Sequence, residues 1–188
     1  MQFVVLVMVT LATLGCSSSN HTVAARDMLA AVPADPHMTV IWEGQVVVPT
    51  MSLGQAVGEL HFPFAHQDIN DKNFFPTSPT DFGTKHLVLV AFDQTLGTSD
   101  AVAALAANGL RPATVRGLVA FAGQPWRQYY PHRILALGSP WRLEHDVQVG
   151  GAEIYFPYLG EYAAKPMVDL YWFGYGWDTT WYFLAERV

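Results

Sequence analysis

The sequence predicts an α+β domain that starts near residue 86 with a strand, continues with two helices and ends with four short antiparallel strands. Three observations predict this order. The segment His86–Phe92 is a continuous apolar run rich in β-branched residues, which is typical of a strand buried on both faces. Between residues 98 and 123, apolar residues at helical spacing lie between capping residues and glycines. After residue 132, glycine-containing turns separate four short apolar segments.

Residues 1–16 form an N-terminal segment of a different kind. Residues 2–14 are almost wholly apolar, and this stretch is too short for a membrane-crossing helix of roughly 20 residues but matches the apolar region of a signal peptide. It ends at Gly15 and Cys16, and serines follow, which resembles a bacterial lipoprotein signal. We therefore expect a lipid on Cys16 and a membrane anchor in the cell envelope. An ordinary secretory signal or an apolar N-terminal helix are the alternatives.

Composition excludes several classes of function. The formal net charge is −6 and the ten Lys and Arg residues are scattered, so the chain lacks the basic face of a nucleic-acid-binding protein. Cys16 is the single cysteine, so a lipidated chain holds no disulfide, no thiolate zinc site and no cysteine nucleophile.

Residues 17–37 read as a polar tether, and residues 38–85 as N-terminal strands followed by a long loop. The β-rich stretches 39–42 and 45–48 flank Glu43 and Gly44, which predicts a hairpin. Residues 52–60 fit a short helix. Prolines, Asn and Asp make residues 61–85 a loop, and a loop of that length is usually functional or mobile.

Capping residues define the helices of the domain at 86–188. Thr98, Ser99 and Asp100 offer an N-cap for the first helix, and Gly109 fits its left-handed stop. Thr114 caps the second helix, which ends at Gly123. The four strands that follow are Arg133–Leu137, Ala152–Tyr158, Met167–Phe173 and Thr180–Arg187.

This order of elements resembles the C-type-lectin-like fold of bacterial proteins. Residues 109–121 are similar to the entry of its second helix, and residues 181–187 to its terminal strand. Residues 134–141 and 155–159 resemble a group of uncharacterised small proteins from uncultured bacteria. The resemblance implies that the first strand pairs antiparallel with the last. It also implies ligand binding by the last strands, as in bacterial and phage receptor-binding members. Calcium-coordinating triplets of the sugar-binding lectins do not occur in the sequence.

The last segment, residues 167–188, combines large rings with Gly, Asp and Thr, a composition typical of recognition surfaces. Strand alternation places Val168, Leu170 and Trp172 toward the core, and Trp172 and Phe183 are expected to be buried. The predicted site binds a protein or a glycan, unless these rings simply fill the core. Its residues are Tyr171, Tyr175, Trp177, Asp178 and Trp181.

A second candidate site is the cluster His61, His66 and Asp68, because imidazole and carboxylate at short spacing are zinc ligands. A polar loop without metal is the other interpretation, and no cofactor is implied. His132 and His145 lack a serine in a Gly-x-Ser-x-Gly turn. The sequence thus predicts a surface-displayed binding module rather than an enzyme. The alternatives are a structural lipoprotein of the cell envelope without a dedicated ligand and a metal-dependent hydrolase.

Overall fold

A nine-stranded, mostly antiparallel sheet with three helices makes up the described part of the chain. The computed structural model describes residues 36–76, 78–143, 153–172, 174 and 176–188, so the predicted signal peptide, Cys16 and most of the tether lie outside the described residues. The strands are β1 Met38–Val48, β2 Phe64–Ala65, β3 Gly83–Phe92, β4 Leu110–Pro112, β5 Arg133–Leu135, β6 Trp141–Leu143, β7 Glu153–Tyr162, β8 Lys165–Trp172 and β9 Trp181–Arg187, and the helices are α1 Leu53–Glu59, α2 Thr98–Ala107 and α3 Val115–Phe121.

The last strand occupies the middle of the sheet. The strand order is β1-β3-β9-β5-β7-β8-β2, while β4 also pairs with β9 and β6 with β7. Strand β9 runs antiparallel to β3, with Leu87 opposite Glu186 and Ala91 opposite Tyr182. The α+β class is therefore confirmed, and the strand that passes residue 86 does pair with the end of the chain.

Two apolar cores cover the two faces of this sheet, because successive residues of a strand point to opposite sides. Leu87 and Leu89 of β3 pack with α1 and α3 in one core. Val88 and Val90 pack with α2 in the other core. A strand buried on both faces explains the unbroken apolar run in β3.

Helices α2 and α3 lie where their local sequence predicts them. Gly109 follows α2 with a φ of +68°, and the Thr114 hydroxyl accepts a hydrogen bond from the amide of Gly117 at the start of α3. The predicted side-chain cap of α2 is wrong, since Gly97 is the N-cap and Thr98 is already helical. No helix within the described residues is both long and apolar enough to span a membrane.

The predicted hairpin at Glu43 and Gly44 is wrong, because β1 continues through both residues and pairs with β3 along its length. Gly44 has a packing role instead: a Cβ atom there would lie 2.6 Å from Cζ2 of Trp42. The glycine leaves room for the indole, which packs edge-on against Phe121 of α3 at a centroid distance of 5.0 Å.

The strand count also differs from the predicted four, because five strands follow α3 in the described part of the chain. The additional strand β6 is three residues long and pairs antiparallel with β7. The segment predicted as one long loop contains the short strand β2, which pairs parallel with β8 at the edge of the sheet, and the first residues of β3.

Candidate ligand-binding groove

Two of the predicted ligand-facing rings are buried, and this corrects the sequence-based site. Trp177 is 1% exposed and Trp181 is 3% exposed. Leu96 and Trp177 exchange backbone hydrogen bonds of 3.0 and 2.8 Å, which hold residue 177 beside the start of α2. The indole N–H of Trp177 donates to the Thr98 hydroxyl at 3.0 Å. Both indoles therefore belong to the core on the α2 side of the sheet.

The remaining predicted site residues divide between the surface and the undescribed part of the chain. Tyr171 is 37% exposed and packs against Trp181 at 4.7 Å between ring centroids. Asp178 is exposed, but its carboxylate accepts hydrogen bonds from the Thr180 hydroxyl and amide, which lower its pKa. Tyr175 lies outside the described residues.

The expected burial of Phe183 is confirmed at 2% exposure, whereas the expected burial of Trp172 is wrong at 44% exposure. Trp172 lies on the same side of β8 as Val168 and Leu170, which pack in or against the α1 and α3 core. Burial falls along β8 from Val168, which is 0% exposed, to Trp172 at the end of the strand.

A groove of about 580 Å³ lies beside the edge where β2 pairs with β8. Two exposed rings stand in its lining: Phe64 is 43% exposed and Tyr162 is 63% exposed. Their ring planes meet at 88° with 5.5 Å between the centroids. Strand pairing fixes both positions, because Phe64 lies in β2 and Tyr162 ends β7. Large exposed rings grouped in a concavity are typical of a binding surface.

Strands β7 and β8 supply a tyrosine hydroxyl and two carboxylates to the lining of the groove. The Tyr158 hydroxyl donates to Asp169 Oδ2 at 3.4 Å, and Asp169 Oδ1 accepts from the Leu170 amide at 2.8 Å. Burial raises the pKa of Tyr158, and the charge of Asp169 raises it further. The phenol therefore stays protonated at neutral pH and keeps its hydrogen bond to Asp169. Glu161 is held by Arg127, whose Nε lies 2.8 Å from Oε1.

Arg133, the first residue of β5, supplies a positive charge to this groove. Its guanidinium carbon lies 5.1 Å from the Trp181 ring centroid and 5.8 Å from that of Tyr171. The parallel pairing of β5 with β9 places Arg133 opposite Trp181 and so produces this stack.

The proposed metal ligands do not assemble into one site. Nδ1 of His66 lies 3.7 Å from Oδ2 of Asp68, and His66 lines the groove. His61 turns elsewhere, with its Nδ1 2.6 Å from the carbonyl oxygen of Glu59. Across the described ranges, no group of three His, Cys, Asp or Glu side chains is arranged to hold a metal ion.

The sequence-based prediction placed the site on the last strands and missed the groove residues, which are Phe64, Arg133, Tyr158, Glu161 and Tyr162. A local signal existed for Phe64, which falls in the loop marked as functional or mobile by its length. The approach of Arg133 to Trp181 depends on a pairing between strands far apart in the chain. No family model, no curated protein and no solved structure matches this chain.

Proposed function

We propose that this chain is a ligand-binding module of the cell surface and that it binds a glycan in the groove beside β2 and β8. The observation that carries the proposal is the pair of exposed rings, Phe64 and Tyr162, beside the Asp169 carboxylate in one groove. A sugar ring has an apolar face, which gains from contact with an aromatic ring. Its hydroxyls donate hydrogen bonds, and a carboxylate such as Asp169 accepts them.

The shape of the groove favours a glycan over a protein partner. A volume of about 580 Å³ falls within the roughly 300–1,000 Å³ of small-ligand pockets. A stable protein partner covers about 800 Å² on each side, and the burial of Trp177 and Trp181 removes two large rings from such a surface.

The proposal also includes a location in the cell envelope and a C-type-lectin-like fold. A lipid on Cys16 would hold the domain at the membrane while residues 17–37 act as a tether. A C-type-lectin-like assignment is supported by the antiparallel pairing of β3 with β9 and by two helices that precede the later strands. The sheet is larger than the resemblance implies, because β1 extends it beyond β3 at one edge and β2 extends it beyond β8 at the other.

Glycan-array screening followed by calorimetry on the best ligand tests the proposal. Tyr162→Ala and Phe64→Ala should each weaken binding about tenfold or more, which corresponds to about 1.4 kcal/mol. Both rings are exposed, so the melting temperature should change little. Phe75→Ala is the matched control, since Phe75 is 75% exposed and does not line the groove.

Binding that survives the loss of both groove rings would contradict the proposal. A folded wild-type protein that captures no glycan would favour a structural role in the cell envelope instead.

A further inference from the structure

The guanidinium of Arg133 differs from those of four other described arginines in what it contacts. Arg111, Arg116, Arg127 and Arg187 each form an ion pair with a carboxylate. Within the part of the chain that the structure describes, the guanidinium of Arg133 makes no hydrogen bond or ion pair and lies against the rings of Trp181 and Tyr171 instead. An arginine stacked in this way keeps its N–H donors free at the edge of its plane.

The acidic groups near Arg133 are already engaged by other donors. Glu161 pairs with Arg127, and Asp178 accepts two hydrogen bonds from Thr180. Asp169 accepts hydrogen bonds from the Tyr158 hydroxyl and the Leu170 amide. None of these carboxylates accepts a hydrogen bond from Arg133, so the N–H groups of its guanidinium remain free to bind a ligand in the groove.

We propose that the glycan bound in this groove is acidic and that Arg133 binds its carboxylate. A planar guanidinium matches a carboxylate with two parallel hydrogen bonds, which are stronger than bonds between neutral groups. The rings hold the guanidinium in place before the ligand arrives, so little side-chain freedom is lost on binding. A uronic acid residue has a sugar ring, which the aromatic side chains of the groove can contact, and a carboxylate, which Arg133 can bind. This inference rests on the proposed function.

The test compares acidic glycans with neutral partners of the same backbone. The probes are oligogalacturonate and oligoglucuronate, each beside its carboxyl-reduced form, measured by calorimetry with the full chain. We expect wild-type protein to prefer an acidic form by about 10- to 100-fold, the range that hydrogen bonds to charged groups provide. The preference should fall as salt rises, because Arg133 is exposed.

Two variants at Arg133 separate charge from geometry. Arg133→Gln should reduce the acidic-to-neutral affinity ratio to near one, because the charge is lost. Arg133→Lys should give an intermediate ratio, because it keeps the charge without the planar pair of donors. Tyr162→Ala should weaken both forms and leave the ratio unchanged.

The outcomes distinguish this inference from the proposed function. Equal wild-type affinity for the acidic and neutral forms would overturn the role of Arg133 and leave glycan binding in place. Loss of the preference in Tyr162→Ala alone, with Arg133→Gln unaffected, would also overturn it. Binding of poly-glutamate as tight as that of the acidic glycans would show that the carboxylate is recognised on a peptide instead. Absence of binding to any glycan, acidic or neutral, would overturn both proposals.

Discussion

The indole of Trp177 holds its own residue against the start of α2. It packs edge-on against Phe156 and Trp181, at centroid distances of 5.7 and 5.2 Å, and its N–H donates to Thr98. A tryptophan in these surroundings stabilises the fold rather than contacting a ligand. Thr98 is the first residue of α2 rather than its N-cap, and its hydroxyl is the acceptor for the indole.

We predict that Trp177→Ala lowers the free energy of unfolding by about 3–5 kcal/mol, the usual loss for a large ring removed from a core. Urea denaturation measures this change. Trp172→Ala is the control, because Trp172 is 44% exposed, and its loss of stability should be smaller. An equal or larger loss of stability for Trp172→Ala would contradict the assignment of Trp177 to the core and of Trp172 to the surface.

The buried Tyr158 hydroxyl makes stability depend on pH in alkaline solution. Burial and then the charge of Asp169 raise its pKa in the folded state, while an unfolded tyrosine titrates near pH 10. Above about pH 10 the unfolded chain therefore loses this proton and the folded chain keeps it. The contribution of Tyr158 to stability is complete below that pH and falls as the pH rises further.

The prediction is a loss of about 1.4 kcal/mol per pH unit from Tyr158 above about pH 10, which Tyr158→Phe should remove. Urea denaturation at a series of pH values measures the slope. Tyr182→Phe is the comparison, because burial alone raises the pKa of that hydroxyl, and it should flatten the slope less. An unchanged slope in Tyr158→Phe would contradict the deep burial of this phenol.

At the scale of elements, one ion pair joins α3 to the start of α1 and to the long connection before β3. Arg116, 6% exposed, pairs with Asp71 and donates to the Met51 carbonyl at 3.0 Å. Asp71 also accepts a hydrogen bond from the Leu53 amide, the first residue of α1, at 2.9 Å. These contacts order part of the segment that the sequence predicts as a loop.

Replacing Asp71 should lower the free energy of unfolding more than replacing Arg116 does. Asp71→Ala leaves a buried guanidinium without its counter-charge, which costs about 3–5 kcal/mol. Arg116→Met removes the buried charge and leaves Asp71, whose side chain is 35% exposed and can be hydrated, so the loss of stability should be smaller. Denaturant unfolding of both variants and the double variant measures the difference. A larger loss for Arg116→Met would contradict this account.

Elements whose boundaries depend on local chemistry were predictable, and elements that depend on distant partners were not. Gly109 and Thr114 mark the end of α2 and the start of α3 through backbone and side-chain properties of a few residues. Gly44, by contrast, has the appearance of a turn residue until the packing of Trp42 is known. The groove was not predictable, because strands far apart in the chain bring its residues together.

At the scale of the whole molecule, β9 joins the two halves of the sheet. It pairs with β3 on one side and with β4 and β5 on the other. Its residues Phe183, Leu184 and Ala185 are each 2% exposed or less and contribute to both cores. Folding of either half therefore depends on the last strand of the chain, and the contacts that hold the sheet together are distant in sequence.

We predict that the full chain unfolds in one cooperative step and that a chain ending at Thr180 does not. Loss of β9 exposes backbone donors and acceptors of β3 and β5 and removes apolar side chains from both cores. Coincident transitions by tryptophan fluorescence and far-UV circular dichroism identify the single step. Deletion of Val188 alone is the control, because this residue is 89% exposed and follows β9. Two separate transitions in the full chain would show that the two halves of the sheet unfold independently. A cooperative transition in the shortened chain would show that β9 is not required to join the halves.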